Sequence, residues 1–313
     1  MRVFAAGATG AVGRRLVPML VEAGHEVVGT TRSREKAREV VELGAEPVVV
    51  DGLDGEGVLA AVRKAEPEVV IHQLTALQGL ANFRKFDKAF ALTNRLRTEG
   101  LDNLLRAARA VKARRLIAQS YTGWPNIREG GPVKTEDDPL DPRPPASMTK
   151  SLAAIRYVEE TLTTTEELDG VALRYGSFYG PGTSLGEGGE YVALFRKRRF
   201  PIIGDGAGIW SFTHIEDAAA ATVAALDRGA PGVYNVVDDE PAPVSEWLPY
   251  IAEVLGAKPP HRVPVWLGRL AAGEAVVSMM TKARGSSNAK AKRELGWQPR
   301  YPSWRDGFRQ GLS

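Results

Sequence analysis

Residues 3–13 carry the tightest constraint in this chain. The apolar run Val3-Phe4-Ala5-Ala6 passes directly into Gly7-Ala8-Thr9-Gly10-Ala11-Val12-Gly13, and that loop opens an amphipathic stretch. Strand, glycine loop and helix in this order meet three physical needs. One glycine makes the tight turn, one lets backbone approach a pyrophosphate, and one lets the helix lie close against the sheet. The N–H groups around Gly7, Thr9, Gly10, Ala11, Val12 and Gly13, with the positive end of the helix behind them, then form a phosphate site. Glycine-rich turns also occur for packing alone. Between a first strand and a first helix, the triplet points to a bound dinucleotide.

The same alternation repeats down the chain. Strands are expected at Val3–Ala6, Glu26–Thr30, Pro47–Val50, Glu68–His72, Arg115–Gln119 and Val171–Tyr175. Helices are expected at Ala11–Ala23, Ser33–Leu43, Asp54–Lys64, Asp87–Ala110 and Ser147–Leu168. Strands apolar on both faces, separated by helices, predict an α/β fold: a Rossmann-type, doubly wound parallel sheet. Tyr121 to Pro145 reads as a long loop, and such loops are usually functional. Past Tyr175 the pattern breaks into glycine-rich turns, which predicts a smaller C-terminal, substrate-binding lobe. The expected division is a dinucleotide-binding domain over 1–178, with 212–238 returning to it as a helix and strand, and a lobe formed by 179–211 and 239–313.

The 313 residues are 43% hydrophobic and carry a net charge of +3, with charges of both signs interleaved, which argues against disorder and against a nucleic-acid surface. The one dense basic run, Arg196-Lys197-Arg198-Arg199, reads as a solvated helix end. With no cysteine there is no disulfide or thiolate chemistry, and the four histidines show no metal-ligand spacing. No apolar run approaches the roughly 20 residues that span a bilayer, so the expectation is a cytoplasmic protein with a small-molecule substrate and neither a membrane nor a nucleic-acid partner.

The end of the second strand selects the dinucleotide. NAD sites place an acid about 20 residues after the glycines, on the ribose hydroxyls. Here the segment is Gly29-Thr30-Thr31-Arg32-Ser33, with no carboxylate before Glu35. Thr31 stands where the acid is sought. Arg32 can stack on adenine and pair with a 2′-phosphate, and Lys36 lies one helical turn on. NADP is expected, with NAD the less favoured cofactor.

With these landmarks the chain resembles the extended, atypical branch of the short-chain dehydrogenase/reductase superfamily, the NAD-dependent epimerase/dehydratase group, over nearly its whole length. Gly7, Gly10 and Gly13 match its glycine motif, and Asp51-Gly52-Leu53 the acidic turn that holds adenine there. His72-Gln73-Leu74-Thr75 resembles the end of its fourth strand, and Asn94 its structural asparagine. Arg174-Tyr175-Gly176-Ser177 resembles the stretch that lines nicotinamide. Phe212-Thr213-His214-Ile215-Glu216-Asp217 and Glu294-Leu295-Gly296-Trp297 are further landmarks. The resemblance implies a Ser/Thr, a Tyr and a Lys as the chemistry, with Tyr four residues before Lys. Lys150 has the expected context, but Ala146 stands where the tyrosine belongs. Ser120 takes the family serine position, and Tyr121 follows it. The expectation is that Ser120 polarises the substrate oxygen, Tyr121 supplies the phenol, and Lys150 holds the ribose.

Sugar-nucleotide members of the group often carry Arg-Asp where Trp210-Ser211 stands here. An indole favours apolar contact over phosphate binding, so a smaller or more apolar substrate is expected; otherwise Trp210 is core, with phosphate contacts from Arg196 or Arg284. Three functions follow: an NADP(H)-dependent oxidoreductase or epimerase/dehydratase-like enzyme acting on a carbinol or ketone carbon, a catalytically silent NADP(H) sensor, or a nucleotide-sugar epimerase. The helical stretches at 87–110 and 147–168 could pair in a homodimer, as they often do in that family.

Overall fold

The computed structural model describes residues 1–77 and 83–313. Along the chain lie β1 (Arg2–Ala6), β2 (Glu26–Thr31), β3 (Glu46–Val49), β4 (Val69–His72), β5 (Arg115–Tyr121), the two-residue β6 (Val133–Lys134) and β7 (Asp169–Tyr175). Then come β8 (Ser177–Tyr179), β9 (Ile202–Ile203), β10 (Ile209–Trp210), β11 (Phe212–His214), β12 (Gly232–Val236), β13 (Ala242–Pro243), β14 (Arg262–Val263) and β15 (Gly285–Ser286). Seven of them form one parallel sheet in the order β12-β7-β5-β4-β1-β2-β3. This is the doubly wound arrangement expected from the alternation. The order reverses between β1 and β4, which opens a crevice beyond the strand ends at that point.

Side-chain alternation along β1 explains both covered faces. Val3 and Ala5 pack with Leu16, Val17 and Leu20 of α1 (Gly13–Glu22) and with Ile215 and Ala218 of α9 (Ile215–Ala224). Phe4 and Ala6 pack on the other face with Val58 and Val62 of α3 (Gly55–Ala65), Leu101 and Leu104 of α6 (Leu101–Ala110), and Val158 and Leu162 of α7 (Thr149–Thr164). Each fully buried Val, Leu or Phe contributes roughly 1.5–3 kcal/mol. α9 and β12 return to the sheet edge beside β7, as expected for the segment after Ile215.

Three expected helices differ in the structure. The one expected from Ser33 is α2 (Ala37–Glu42): the Ser33 amide donates to Thr31 Oγ1 (3.3 Å), so the chain is still turning at Ser33. The helix expected over Asp87–Ala110 is broken into α4 (Phe86–Ala89), α5 (Ala91–Arg95), a π turn (Leu96–Gly100) and α6. Phe90 at the first break stacks on Phe86 with ring centroids 4.2 Å apart. The helix expected over Ser147–Leu168 starts at Thr149, after a 3₁₀ turn over Ala146–Met148. Asp87 caps it from outside, accepting from the amides of Lys150 (2.9 Å) and Ser151 (2.8 Å). The expected long loop is also tied down: β6 pairs with β15, and Asn126 bridges Leu140.

The C-terminal elements, α10 (Val244–Val254), α11 (Val265–Ala272), α12 (Glu274–Lys282), α13 (Ala289–Leu295) and the terminal α14 (Trp304–Gln310), add a second core. It centres on Phe212, Trp247, Trp304 and Phe308. The His214 and Asp217 landmarks anchor it. His214 Nε2 hydrogen-bonds the Gly311 carbonyl (2.9 Å), and the Asp217 carboxylate accepts from the Arg300 and Tyr301 amides (2.6 and 3.1 Å). A smaller cluster of Phe86, Met148 and Ala275, with Phe83, Phe90, Trp124 and Met279 against it, joins the segment 83–90 to α12.

Candidate active site

The glycine loop is built as its residue types require. Gly7 sits at φ +96°, and a Cβ there would come 2.9 Å from the Gln73 carbonyl oxygen. A Cβ on Gly13 would overlap the carbonyl oxygens of Gly7 and Ala8. The loop is pinned to the end of β2, with the Gly7 amide on Thr30 Oγ1 (3.1 Å) and the Ala8 amide on the Thr30 carbonyl (3.2 Å). α1 begins with Val12 at its N-cap, no capping side chain, and no acid in its first turn. The Arg14 and Arg15 amides are already on the Gly10 and Val12 carbonyls (both 3.0 Å), which leaves the amides of Ala11, Val12 and Gly13 without a backbone partner among the described residues, and these suit an anion.

Of the other residues expected to hold a cofactor, Gln73 and Leu74 lie against Gly7. A Cβ on Gly52 would overlap Leu74, which shows how closely the Asp51-Gly52-Leu53 turn approaches the end of β4. Asn103 holds that turn by donating to the Gly52 carbonyl (3.0 Å), and the Leu53 amide closes on Asp51 (2.9 Å). Arg32 is exposed and lines an open depression with Val49, Asp51 and Lys64; Lys36 is exposed at the start of α2. Thr75 lies on the same β4 end, and the next residue's amide, Ala76, donates to Thr93 Oγ1 (3.1 Å).

Two residues assigned to this group face elsewhere. Tyr175 is a core side chain, 1% exposed, whose hydroxyl accepts from Gln73 Nε2 (3.0 Å) and shares a hydrogen bond with Thr222 (2.7 Å). Burial raises its pKa to about 12. Asn94 donates to Ser151 Oγ (3.1 Å), and Ser151 donates to Asp87 (2.7 Å), so Asn94 braces the start of α7. Gly176 and Ser177 are held against β11 and the residue before it: the Gly176 amide donates to Thr213 Oγ1 (2.9 Å) and the Ser177 amide to the Ser211 carbonyl (2.9 Å).

Strand alternation separates Ser120 from Tyr121. Ser120 is buried against α7, where its hydroxyl donates to Glu159 Oε1 (2.7 Å). Arg174 is its register neighbour on β7 and grips the same carboxylate through Nε (2.7 Å) and Nη2 (2.6 Å). Ser120, expected to polarise the substrate oxygen, here has its hydroxyl on a buried ion pair. Tyr121 turns the other way. Its hydroxyl is 3.1 Å from Ser177 Oγ, and its ring lies near Trp124 at 6.3 Å between centroids. Burial pushes the phenol pKa up, while the Ser177 hydrogen bond and the charge of Arg97 pull it back.

Tyr121, Trp124, Ser177, Trp210, Met279 and Ala283 line a narrow cleft between the sheet's carboxyl end and the C-terminal elements. Trp210 combines the two expectations for it. Its indole N–H is committed to the Met279 carbonyl (3.0 Å) and it packs on Trp247 at 4.9 Å, yet it stays partly exposed and walls the cleft. The cleft walls are largely apolar, and their polar side chains are the Tyr121–Ser177 pair together with Thr122 and Ser211, both of which are bonded to Ser286. Arg284 sits beside it but donates to the Arg128 carbonyl (2.8 Å), and Arg196 is exposed on α8 (Glu190–Arg196). Lys150 lies exposed at the head of α7, its amide on Asp87 and its ammonium without a partner among the described residues.

Sequence reasoning passed over Arg97 and Glu159 here, and it named Arg174 only within the stretch that resembles the nicotinamide lining. Arg97, Glu159 and Arg174 are each at most 6% exposed. The signal was legible: Arg97 shares an i, i+4, i+8 stripe with Leu101 and Leu105, Glu159 lies on the buried face of α7, and Arg174 interrupts an apolar strand. A charge at a core-facing position is rarely left there unpaired.

The sequence matches the NAD dependent epimerase/dehydratase family profile over residues 3–236. A 3-diazoavenalumate denitrifying reductase from Streptomyces sp is 44% identical over 309 residues, spanning 98% of this chain and 99% of that protein. A 2-alkyl-3-oxoalkanoate reductase from Stenotrophomonas maltophilia (strain K279a) is 28% identical over 274 residues, 82% of this chain and 76% of the relative. Among solved structures, the Thermus thermophilus UDP-glucose 4-epimerase in complex with NAD superposes with a TM-score of 0.73 at 26% identity, covering 100% of this chain and 98% of that one.

Proposed function

This chain belongs to the NAD-dependent epimerase/dehydratase family, and from that premise we propose that it is an NADP(H)-dependent reductase of a small, largely apolar substrate. The observation that carries the reading is the Tyr121 phenol, held on Ser177 at 3.1 Å in a cleft walled by Trp124, Trp210 and Met279. A proton donor at the carboxyl end of a parallel sheet, beside a glycine loop that fits a pyrophosphate, is the arrangement a carbonyl reductase requires. When bound, NADPH supplies the hydride. In this reading Tyr121 gives its proton to the substrate oxygen as the carbonyl becomes an alkoxide, and Ser177 orients the phenol. The amides of Ala11, Val12 and Gly13, which lead into α1, take the pyrophosphate, Arg32 and Lys36 favour the 2′-phosphate, and Lys150 reaches the ribose. The apolar walls, with no arginine among the described residues that line the cleft, favour a ketone or aromatic compound over a nucleotide sugar.

A second reading rests on the 44% identical denitrifying reductase and on Ala146. In this reading the substrate is an arene diazonium, and a hydride adds to its terminal nitrogen. The resulting aryl diazene loses N₂, and its N–H hydrogen ends on the ring carbon. No alkoxide forms, so a chain without the usual tyrosine four residues before Lys150 still suffices. The cleft's aromatic walls suit such a ring.

The test is NADPH consumption by the purified protein against 3-oxoacid esters, aryl ketones, an arene diazonium salt and UDP-glucose, with NADH in parallel and N₂ measured. Ketone turnover supports the first reading. Stoichiometric N₂ and NADP⁺ support the second. Turnover of UDP-glucose alone would overturn both, and NADH preferred throughout would remove the role given to Arg32.

A further inference from the structure

Of the ten large apolar side chains exposed among the described residues, four stand on one short helix, α11: Val265, Trp266, Leu267 and Leu270. Trp266 and Leu270 are each 63% exposed, more than any other in that set. The helix rests on the protein through Gly268, its one buried residue, where a Cβ would come 2.7 Å from Ile203 Cγ2. At about 100° per residue, Trp266, Leu267 and Leu270 fall on the side away from Gly268. A helix lying on a globular core turns polar residues outward, whereas this one turns out an indole and two leucines. α11 is therefore an apolar ridge, and contiguous exposed apolar surface marks a contact site.

The chain around the start of α11 carries unpaired cations. Arg196, Lys197, Arg198 and Arg199 close α8 and lead towards β9, while Lys258 and Arg262 lead through β14 into α11. β9 and β14 pair, Ile202 with Arg262 and Ile203 with Val263, and Arg198 Nε donates to the Pro259 carbonyl (2.6 Å), so the two basic runs meet at this end of the helix. None of the six has a carboxylate partner among the described residues; Arg262 donates only to the Gly204 and Asp205 carbonyls (3.5 and 3.3 Å). The two acids on the same stretches are taken: Glu274 pairs with Arg269, and Asp205 accepts from the Ala207 amide (3.1 Å).

We propose that α11 and its basic flank seat the protein on an anionic membrane surface, with Trp266, Leu267 and Leu270 entering the headgroup layer and the six cations facing lipid phosphates. Apolar insertion and attraction to anionic lipid act together in surface binding of this kind, and each basic residue near the membrane adds about fivefold in affinity. No spanning segment is needed, and among the described residues no helix is long and apolar enough to cross a membrane. A second copy on the ridge is disfavoured, because a two-fold axis sets the same patch against itself and so cation against cation. α12 follows α11 and carries Met279 to the cleft wall, so the lobe that meets lipid also walls the cleft. The surface is independent of Tyr121 and of the reaction catalysed.

The test is co-sedimentation of the purified protein with phosphatidylcholine vesicles, with and without phosphatidylglycerol, read alongside tryptophan fluorescence. Wild-type protein is expected on the mixed vesicles, with its emission shifted to the blue, and in solution with phosphatidylcholine alone. Leu270→Glu and Trp266→Ser should each lower the partition coefficient at least about tenfold. Both side chains are exposed, so an unchanged melting temperature and NADPH response will show that the fold persists. Lys197→Gln combined with Arg262→Gln should lower partition on mixed vesicles about twentyfold, and added salt should release the wild type as screening shortens the reach of the cations. Wild-type protein that stays off mixed vesicles would overturn the proposal, as would binding that survives Leu270→Glu and Trp266→Ser. Equal binding with and without phosphatidylglycerol would overturn it too, because the cations would then contribute nothing. A wild-type dimer in analytical ultracentrifugation that Leu270→Glu dissociates would assign the ridge to a second copy instead.

Discussion

At the scale of single residues, the hydroxyls of Ser120 and Tyr121 are adjacent in sequence and serve different ends. Ser120 gives one hydrogen bond to Glu159, and its loss leaves the Arg174 pair intact. Ser120→Ala should therefore cost about 1 kcal/mol in urea denaturation and leave kcat for the best substrate within a few-fold. Glu159→Gln is a different matter. It leaves Arg174 buried without its counter-ion, a loss of about 3–5 kcal/mol; a cost no larger than that of Ser120→Ala would show that the pair is not what holds α7 to β7. Tyr121→Phe keeps the ring beside Trp124 and removes only the proton. For a ketone substrate it should lower kcat by about 10²–10⁴-fold while NADPH affinity stays unchanged. If hydride instead adds to a diazonium nitrogen and the aryl diazene then loses N₂, the same variant should turn over nearly as fast as wild type, so one substitution separates the two chemistries.

At the scale of elements, the glycine loop sets the distance between α1 and the sheet. A methyl group on Gly13 has no room against the Gly7 and Ala8 carbonyls, so Gly13→Ala must push the helix start away from the loop. Overpacking of this kind costs about 1–3 kcal/mol. It should also weaken NADPH binding at least tenfold, measured by fluorescence titration. A protein that binds NADPH normally after this change would mean that the loop adapts and does not set the cradle. This element was legible because local chemistry dictates it: strand, glycines and helix are contiguous, and no distant residue can alter what they need. The break in the helix over Asp87–Ala110 was not legible. Phe90 and the π turn at Leu96–Gly100 sit inside an uninterrupted helical period, and nothing in that period marks where the helix breaks. The setting of Ser120 was not legible for the same reason. Its position at a strand end suggested chemistry, while its partner Glu159 lies 39 residues away on another helix. Tyr121 and the cleft were half legible: the displaced phenol could be proposed from Ala146, but its hydrogen bond to Ser177 depends on where β8 runs.

For the whole molecule, the central question is how far the cofactor holds the two parts of the structure together. The sheet places the glycine loop, the Asp51 turn and the β4 end around one crevice. The second core, anchored through His214 and Asp217, faces the Tyr121 end of it. A ligand that binds only the folded form stabilises it by RT ln(1 + [L]/Kd), about 2.7 kcal/mol at a hundredfold excess over Kd. For a chain of this size that corresponds to roughly 5 °C in melting temperature. NADPH should produce such a shift and NADH, at equal concentration, a distinctly smaller one. The difference is assigned to Arg32, an exposed guanidinium with nothing else to hold among the described residues beside the depression it lines. Arg32→Ala should therefore bring the NADPH shift down to that of NADH and leave the NADH shift where it was. Because an exposed Arg–phosphate contact is screened by salt over about 8–10 Å, the NADPH advantage should also shrink between roughly 50 mM and 500 mM NaCl. Equal shifts for the two cofactors in wild type would mean that Thr31, in the place of the family acid, decides nothing, and that the 2′-phosphate is left in solvent.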